Sequence, residues 1–211
     1  MFMRRLATLC LGLALVQACA KNDLAEPPVP LGEFRLGLNI VVADNVQKVP
    51  ISRNATVEEW EAVMIKAVDN RFGRYEGSKL YNIGISVDGY ALAPPGIPVV
   101  AAPKSVLVIT ANIWDDAAAK KLNPEGKQFT VFESFSGESV IGTGITSTKA
   151  QQMEALSYNA VKAVEGWLVD NPTWFGLPPK GEQTPAEPVA TVDETPAATE
   201  TAADETAEPA N

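Results

Sequence analysis

The chain has no histidine and only two cysteines among its 211 residues. Cys10 and Cys19 both lie near the front, so everything after Cys19 lacks a thiol. These absences exclude Cys–His and Ser–His–Asp catalysis, which use an imidazole as base. They also exclude most zinc sites, which lean on Cys and His. Bases are scarce: 17 Lys and Arg stand against 26 Asp and Glu. Without a basic face, a nucleic-acid partner is not expected. The apolar run from Leu6 to Val16 is about half the roughly 20 residues a spanning helix needs. No motif fixes an activity, and no cofactor or metal is implied.

What is present begins at the front. Arg4 and Arg5 precede the apolar run, and Val16-Gln17-Ala18-Cys19 follows it. Two bases, a short apolar core and a small residue before the cut read as a secretory signal over residues 1–18. Val16-Gln17-Ala18-Cys19 resembles a bacterial lipobox, matching at Val16, Ala18 and Cys19, while Gln17 stands where the pattern prefers Ala, Ser or Thr. The resemblance implies a diacylglycerol on Cys19, which becomes the mature N-terminus and tethers the protein to a membrane. Ala20 and Lys21 after that cysteine, rather than Asp, point to the outer membrane.

Three further zones follow. Residues 19–30 carry three prolines and no hydrophobic period, which predicts an extended tether. Residues 31–177 have the length of one domain. Residues 178–211 hold eight of the acids, no base beyond Lys180 and no aromatic residue. Such a composition cannot bury enough apolar surface to offset the entropy of ordering, so a disordered acidic tail is expected.

Inside the domain the period alternates between two and about 3.6. Phe34, Leu36, Leu38, Ile40 and Val42 alternate with polar residues or glycine, predicting a strand with these five on its buried face. Thr56-Val-Glu-Glu59 and Thr148-Lys-Ala-Gln151 are capping boxes, each opening an apolar helical stripe. The first stripe stops near Gly73 and the second at Asn171-Pro172. Tyr81, Ile83, Ile85 and Val87 predict a second strand with a bulge at Gly89. Val106–Ile113, apolar on both parities, predicts a central strand. Phe129–Phe135 and Ser139–Gly142 read as a hairpin turning at 136–138. The expected class is α+β: a sandwich of a four- to five-stranded antiparallel or mixed sheet with two helices on one face. The first helix fits a crossover between parallel strands. The other sheet face, carrying Thr, Ser, Asn and Gly, is left to solvent or a partner.

Four groups invite a chemical reading. The apolar, uncharged stretch 91–103 is long for a loop, so Pro94, Pro95, Ile97, Pro98, Val99 and Val100 are the candidate contact for a partner. Gly142, Gly144, Thr146, Ser147, Thr148 and Lys149 join a strand to a helix start, where backbone N–H groups can hold an anion; the plainer reading is a glycine turn and an N-cap. Asp115 and Asp116 follow Trp114 at a strand end and read as a turn, running into a short turn or helix over 117–122. Trp60, Trp167, Trp174 and Phe175 read as core, the last two folding back as a lock.

The lipobox, the tether and the strand–helix–strands–helix order are similar to small bacterial envelope lipoproteins. The order also resembles the lipopolysaccharide-assembly lipoprotein and auxiliary lipoproteins of lipid-transport ABC systems. No diagnostic motif carries that likeness, so only Cys19 transfers from it. The expected function is a lipid-anchored, non-catalytic binding or assembly module at the outer membrane, facing the periplasm. Its partner would be an envelope protein or an amphiphile. The alternative is a periplasmic hydrolase or glycan-active enzyme using Asp115, Asp116 or Glu133.

Overall fold

A computed structural model describes residues 23–94, 105–133 and 147–180. Six strands and two long helices follow one another as β1 (Phe34–Val42), β2 (Gln47–Lys48), α1 (Val57–Phe72), β3 (Lys79–Ala91), β4 (Val106–Asp115), β5 (Lys120–Lys121), β6 (Lys127–Phe132) and α2 (Lys149–Val169). The fold is α+β with a mixed sheet, as expected; the sheet is open and has six strands rather than four or five, because the two-residue strands β2 and β5 join it. β3 is flanked by β1 and β4, and β4 carries β5 and β6 on its far side. β1 and β2 pair with β3 in parallel, whereas β3–β4, β4–β5 and β4–β6 are antiparallel. Thus α1 is the crossover between two neighbouring parallel strands.

Both helices begin as their sequences require. Thr56 accepts the N–H of Glu59, and the Glu59 carboxylate accepts the N–H of Thr56. Thr148 and Gln151 exchange the same pair of bonds. Each box satisfies two N–H groups that a helix start leaves unpaired. Trp60, Met64, Val68 and Phe72 of α1 and Leu156, Ala160, Val164 and Leu168 of α2 are fully buried. They meet Tyr81, Ile83, Ile85 and Val87 of β3 and Leu107, Ile109, Ala111 and Ile113 of β4. β3 does bulge between Val87 and Gly89, which turns Tyr90 back into the core.

One end of the core is aromatic. The Phe34 ring stacks on Tyr81 at 5.4 Å and meets Phe175 edge-on at 5.5 Å. Phe175, in a 3-10 turn over Pro172–Phe175, is brought back by two bonds: the Glu33 N–H donates to its carbonyl, and the Tyr81 hydroxyl donates to the Trp174 carbonyl. The expected C-terminal lock therefore forms, with Trp60 and Phe175 fully buried and Trp167 and Trp174 packed against the core.

Two expectations need correction. The five alternating residues of β1 do not share one face. Phe34 is buried, but Leu38, Ile40 and Val42 are 59%, 52% and 45% exposed, while Val41 points inward. Residues 23–30 of the expected tether are not free: Asp23–Ala25 form a 3-10 turn held against both helices. Residues 116–119 form the expected turn, and β5 follows it. Of the predicted hairpin after β4, the described part is β6, ending at Phe132. Residues 134–146 lie outside the described residues.

Candidate functional site

The outer face of the sheet is set by one extra residue in β1. Leu36 pairs with Tyr81, yet Asn39 pairs with Ile83, so three steps on β1 oppose two on β3. This bulge reverses the side-chain parity of everything that follows. Gly37 sits at the bulge because a Cβ there would lie 2.4 Å from Asn82 Oδ1. The same Oδ1 accepts the Leu38 N–H at 2.7 Å. Asn82 thus occupies the space and takes the donor that the irregular ladder leaves over.

Leu38, Ile40 and Val42 consequently stand on the face away from the helices. Their neighbours on β3 are small or polar: Asn82, Gly84 and Ser86. Trp114 of β4 lies across Gly84, where an added Cβ would meet the indole at 2.8 Å. Ile40 and Trp114 therefore flank Gly84 on adjacent strands. The Lys121 ammonium lies 6.0 Å from the Trp114 ring, within cation–π range. The outer face is not the plain Thr/Ser/Asn/Gly surface expected. It carries an apolar stripe along an edge strand, a feature associated with protein contact.

The apolar loop springs from one end of this sheet. Its described stem is pinned by buried polar bonds. The Ala93 N–H donates to Ser105 Oγ, and the Ala93 carbonyl accepts from Gln152 Nε2 of α2. Pro94 is half-buried at the exit. Pro95, Ile97, Pro98, Val99 and Val100 lie outside the described residues, as does Cys19.

On the helix side, a second polar constellation holds the N-terminal segment. Arg71 of α1 is 1% exposed, and its guanidinium reaches Glu165 Oε2 and Asp23 Oδ1, each at 2.6 Å. Asp23 also accepts the Tyr158 hydroxyl at 2.6 Å and the Lys162 ammonium at 2.8 Å. Tyr75 donates to Glu165 Oε1 at 2.8 Å. Partial burial pushes the Asp23 carboxyl upward, but bonds from Arg71, Lys162 and Tyr158 outweigh it and hold the group well below the usual carboxylate range. Burial, reinforced by the Glu165 charge, pushes the Tyr75 hydroxyl far up, so it remains a donor. Downstream, Arg74 Nη1 donates to the carbonyls of Leu24 and Glu26. Sequence reading missed this clamp because Asp23 sits in a short polar stretch with no period.

The remaining candidates are engaged locally. Thr148 caps α2, Lys149 pairs with Glu59, and the Ser147 carbonyl accepts from Arg53 Nη1. Gly142, Gly144 and Thr146 lie outside the described residues. Asp115 Oδ1 accepts the Ala118 N–H, and Asp116 Oδ1 accepts Asn82 Nδ2. Both acids serve the turn between β4 and β5. Glu133 follows Phe132, which pairs with Val106 at the opposite end of β4 from Asp115. Nine strand residues put that end roughly 30 Å away, against the 5–10 Å of paired glycosidase carboxylates. Among the described residues, no three metal-ligating side chains converge, and no helix is long and apolar enough to cross a membrane.

No family model and no curated protein matches the chain. Solved structures do resemble it. A protein from Xanthomonas campestris is 15% identical, covering 71% of this chain and 94% of its own, with a TM-score of 0.40. PelC from Paraburkholderia phytofirmans, a dodecamer, is 10% identical over 64% of this chain and 90% of its own, with a TM-score of 0.35. A minor lipoprotein from Acinetobacter baumannii is 11% identical over 61% of this chain and 92% of its own, with a TM-score of 0.27.

Proposed function

We propose that the protein is a lipid-anchored, non-catalytic docking module of the bacterial cell envelope, held at the outer membrane through Cys19. Its partner is an envelope protein that lays an apolar surface on the outer sheet face. The observation carrying this reading is the bulge at Gly37, which turns Leu38, Ile40 and Val42 out of the core. A strand that leaves three large aliphatic side chains half-exposed forgoes roughly half of the 1.5–3 kcal/mol that full burial of each would give. Asn82, placed to satisfy the bulge, marks the exposure as built into the fold rather than as loose packing.

The non-catalytic part of the reading is supported by side-chain chemistry. Asp115 and Asp116 are committed to turn bonds, and Glu133 lies at the other end of the sheet from them.

In cells, a photo-crosslinking residue at position 42, on the same face, is expected to trap a defined membrane-associated protein while Leu38 and Ile40 are intact. The Leu38→Glu, Ile40→Glu double variant should lose that adduct while folding normally. An unchanged adduct pattern in the double variant would remove the docking reading. Incorporation of an alkynyl fatty acid that Cys19→Ala abolishes would support the anchor.

A further inference from the structure

The clamp on Asp23 lies four residues from the cysteine proposed to carry lipid. We infer that it fixes the domain with its helix layer against the phospholipid bilayer and its sheet face turned away from it. This rests on the acylation of Cys19 and adds to it a surface and an orientation.

The argument is one of reach. Four residues span at most about 14 Å when fully extended. The position from which they start is set: Asp23 is bonded to Arg71 on α1 and to Tyr158 and Lys162 on α2. It therefore sits between the two helices, on the layer opposite Leu38, Ile40 and Val42. A helix with its side chains is about 10–12 Å across, and the sheet lies beneath it. A path from Asp23 around the helix pair to the outer sheet face exceeds the leash. With the lipid chains in the bilayer, the surface that can touch the headgroups is the one around Asp23.

That surface suits the contact. α1 and α2 run parallel there, as the pairs Glu59–Lys149, Lys66–Glu154 and Arg71–Glu165 show. Between them runs a trough with an apolar floor of Val63, Ala67 and Val161 and a volume of about 240 Å³. Its rim carries Lys66, paired with Glu154, and beside it Lys162 is paired with Asp23; both ammonium groups remain more than half exposed and can share a donor with lipid phosphates. Were residues 19–30 a free tether, twelve residues would reach roughly 40 Å, and either face could meet the membrane.

The test uses the full-length protein, acylated in cells and reconstituted into phosphatidylethanolamine–phosphatidylglycerol vesicles containing brominated lipid. Two variants, Glu154→Cys on the helix layer and Leu38→Cys on the sheet face, carry an environment-sensitive fluorophore. Quenching by brominated lipid should be several-fold stronger at position 154 than at 38. Inserting a 20-residue Gly/Ser linker between Cys19 and Asp23 leaves the clamp intact and adds an r.m.s. reach of about 25 Å. That insertion should bring the two positions toward equal quenching. Equal quenching without the linker, or a ratio the linker does not change, would overturn the inference while leaving acylation standing. An unacylated N-terminal peptide by mass spectrometry would overturn both.

Discussion

The backbone N–H of Leu38 donates to Asn82 Oδ1 at 2.7 Å, and this bond marks where β1 carries one residue more than β3. The bond is exposed, so water can replace Asn82 at some cost. Asn82→Ala is expected to destabilise the fold by about 1 kcal/mol, the usual worth of a hydrogen bond of this kind. Because Asn82 Nδ2 also donates to Asp116, the acceptor is tested in an Asp116→Asn background, where Asn82→Asp should lose less than Asn82→Ala in urea unfolding. Equal losses in the two variants would show that the acceptor does not hold the bulge.

The reversed parity makes neighbouring residues behave in opposite ways. Ile40→Ala removes a side chain that is 52% exposed, so its cost should stay within about 0.5 kcal/mol. Val41→Ala removes a smaller side chain that is 8% exposed, and should cost more, about 1–2 kcal/mol. The order expected from simple alternation is the reverse. Paired urea midpoints therefore read the register directly.

The elements legible in the sequence were those whose cause is local. Thr56 with Glu59 and Thr148 with Gln151 are four-residue devices, and both helices start where they predict. The central place of β4 followed from apolar residues on both parities, and the inward face from the run Tyr81–Val87. The bulge in β1 was not legible from its own residues, because its stabilising partner, Asn82, is 44 positions away. Gly37, an isolated glycine inside a strand, was the available signal. The N-terminal clamp was hidden for a similar reason: Asp23 acquires meaning only beside Arg71, Tyr158 and Lys162, which lie on two different helices. Thus the core face was readable, and the outer face that forms the candidate site was not.

Asp23 should make stability depend on pH in a defined window. Its folded carboxyl is held well below the unfolded value of about 3.9. The stabilisation is therefore complete above that value and is lost as pH falls through it toward the folded one. Asp23→Asn removes the charge but keeps Arg71 paired with Glu165, so the variant should fold. At pH 7 it should be less stable than the wild type by about 1–3 kcal/mol. The gap should stay level from about pH 5 to 8 and close below about pH 4. A gap that persists unchanged at pH 2.5 would mean that the carboxylate charge contributes nothing to the clamp.

The C-terminal turn is a structural lock, and its two aromatic residues should differ in cost. Phe175 is fully buried, with its ring 5.0 Å from Tyr81 and 5.5 Å from Phe34. Phe175→Ala would leave a cavity among three aromatic rings, Phe34, Tyr81 and Trp174, that cannot easily collapse, at about 3–5 kcal/mol. Trp174 is only partly buried, and its backbone carbonyl, not its ring, receives the Tyr81 hydroxyl. Trp174→Ala keeps that bond and should cost distinctly less. Tyr81→Phe removes the bond but keeps the ring, and should cost about 1 kcal/mol. Because β1 and the turn share Phe34, Phe175→Ala should also speed hydrogen exchange at Glu33 and Phe34. Protection there that survives the substitution would mean that the backbone bond from Glu33 to residue 175 holds without the aromatic ring.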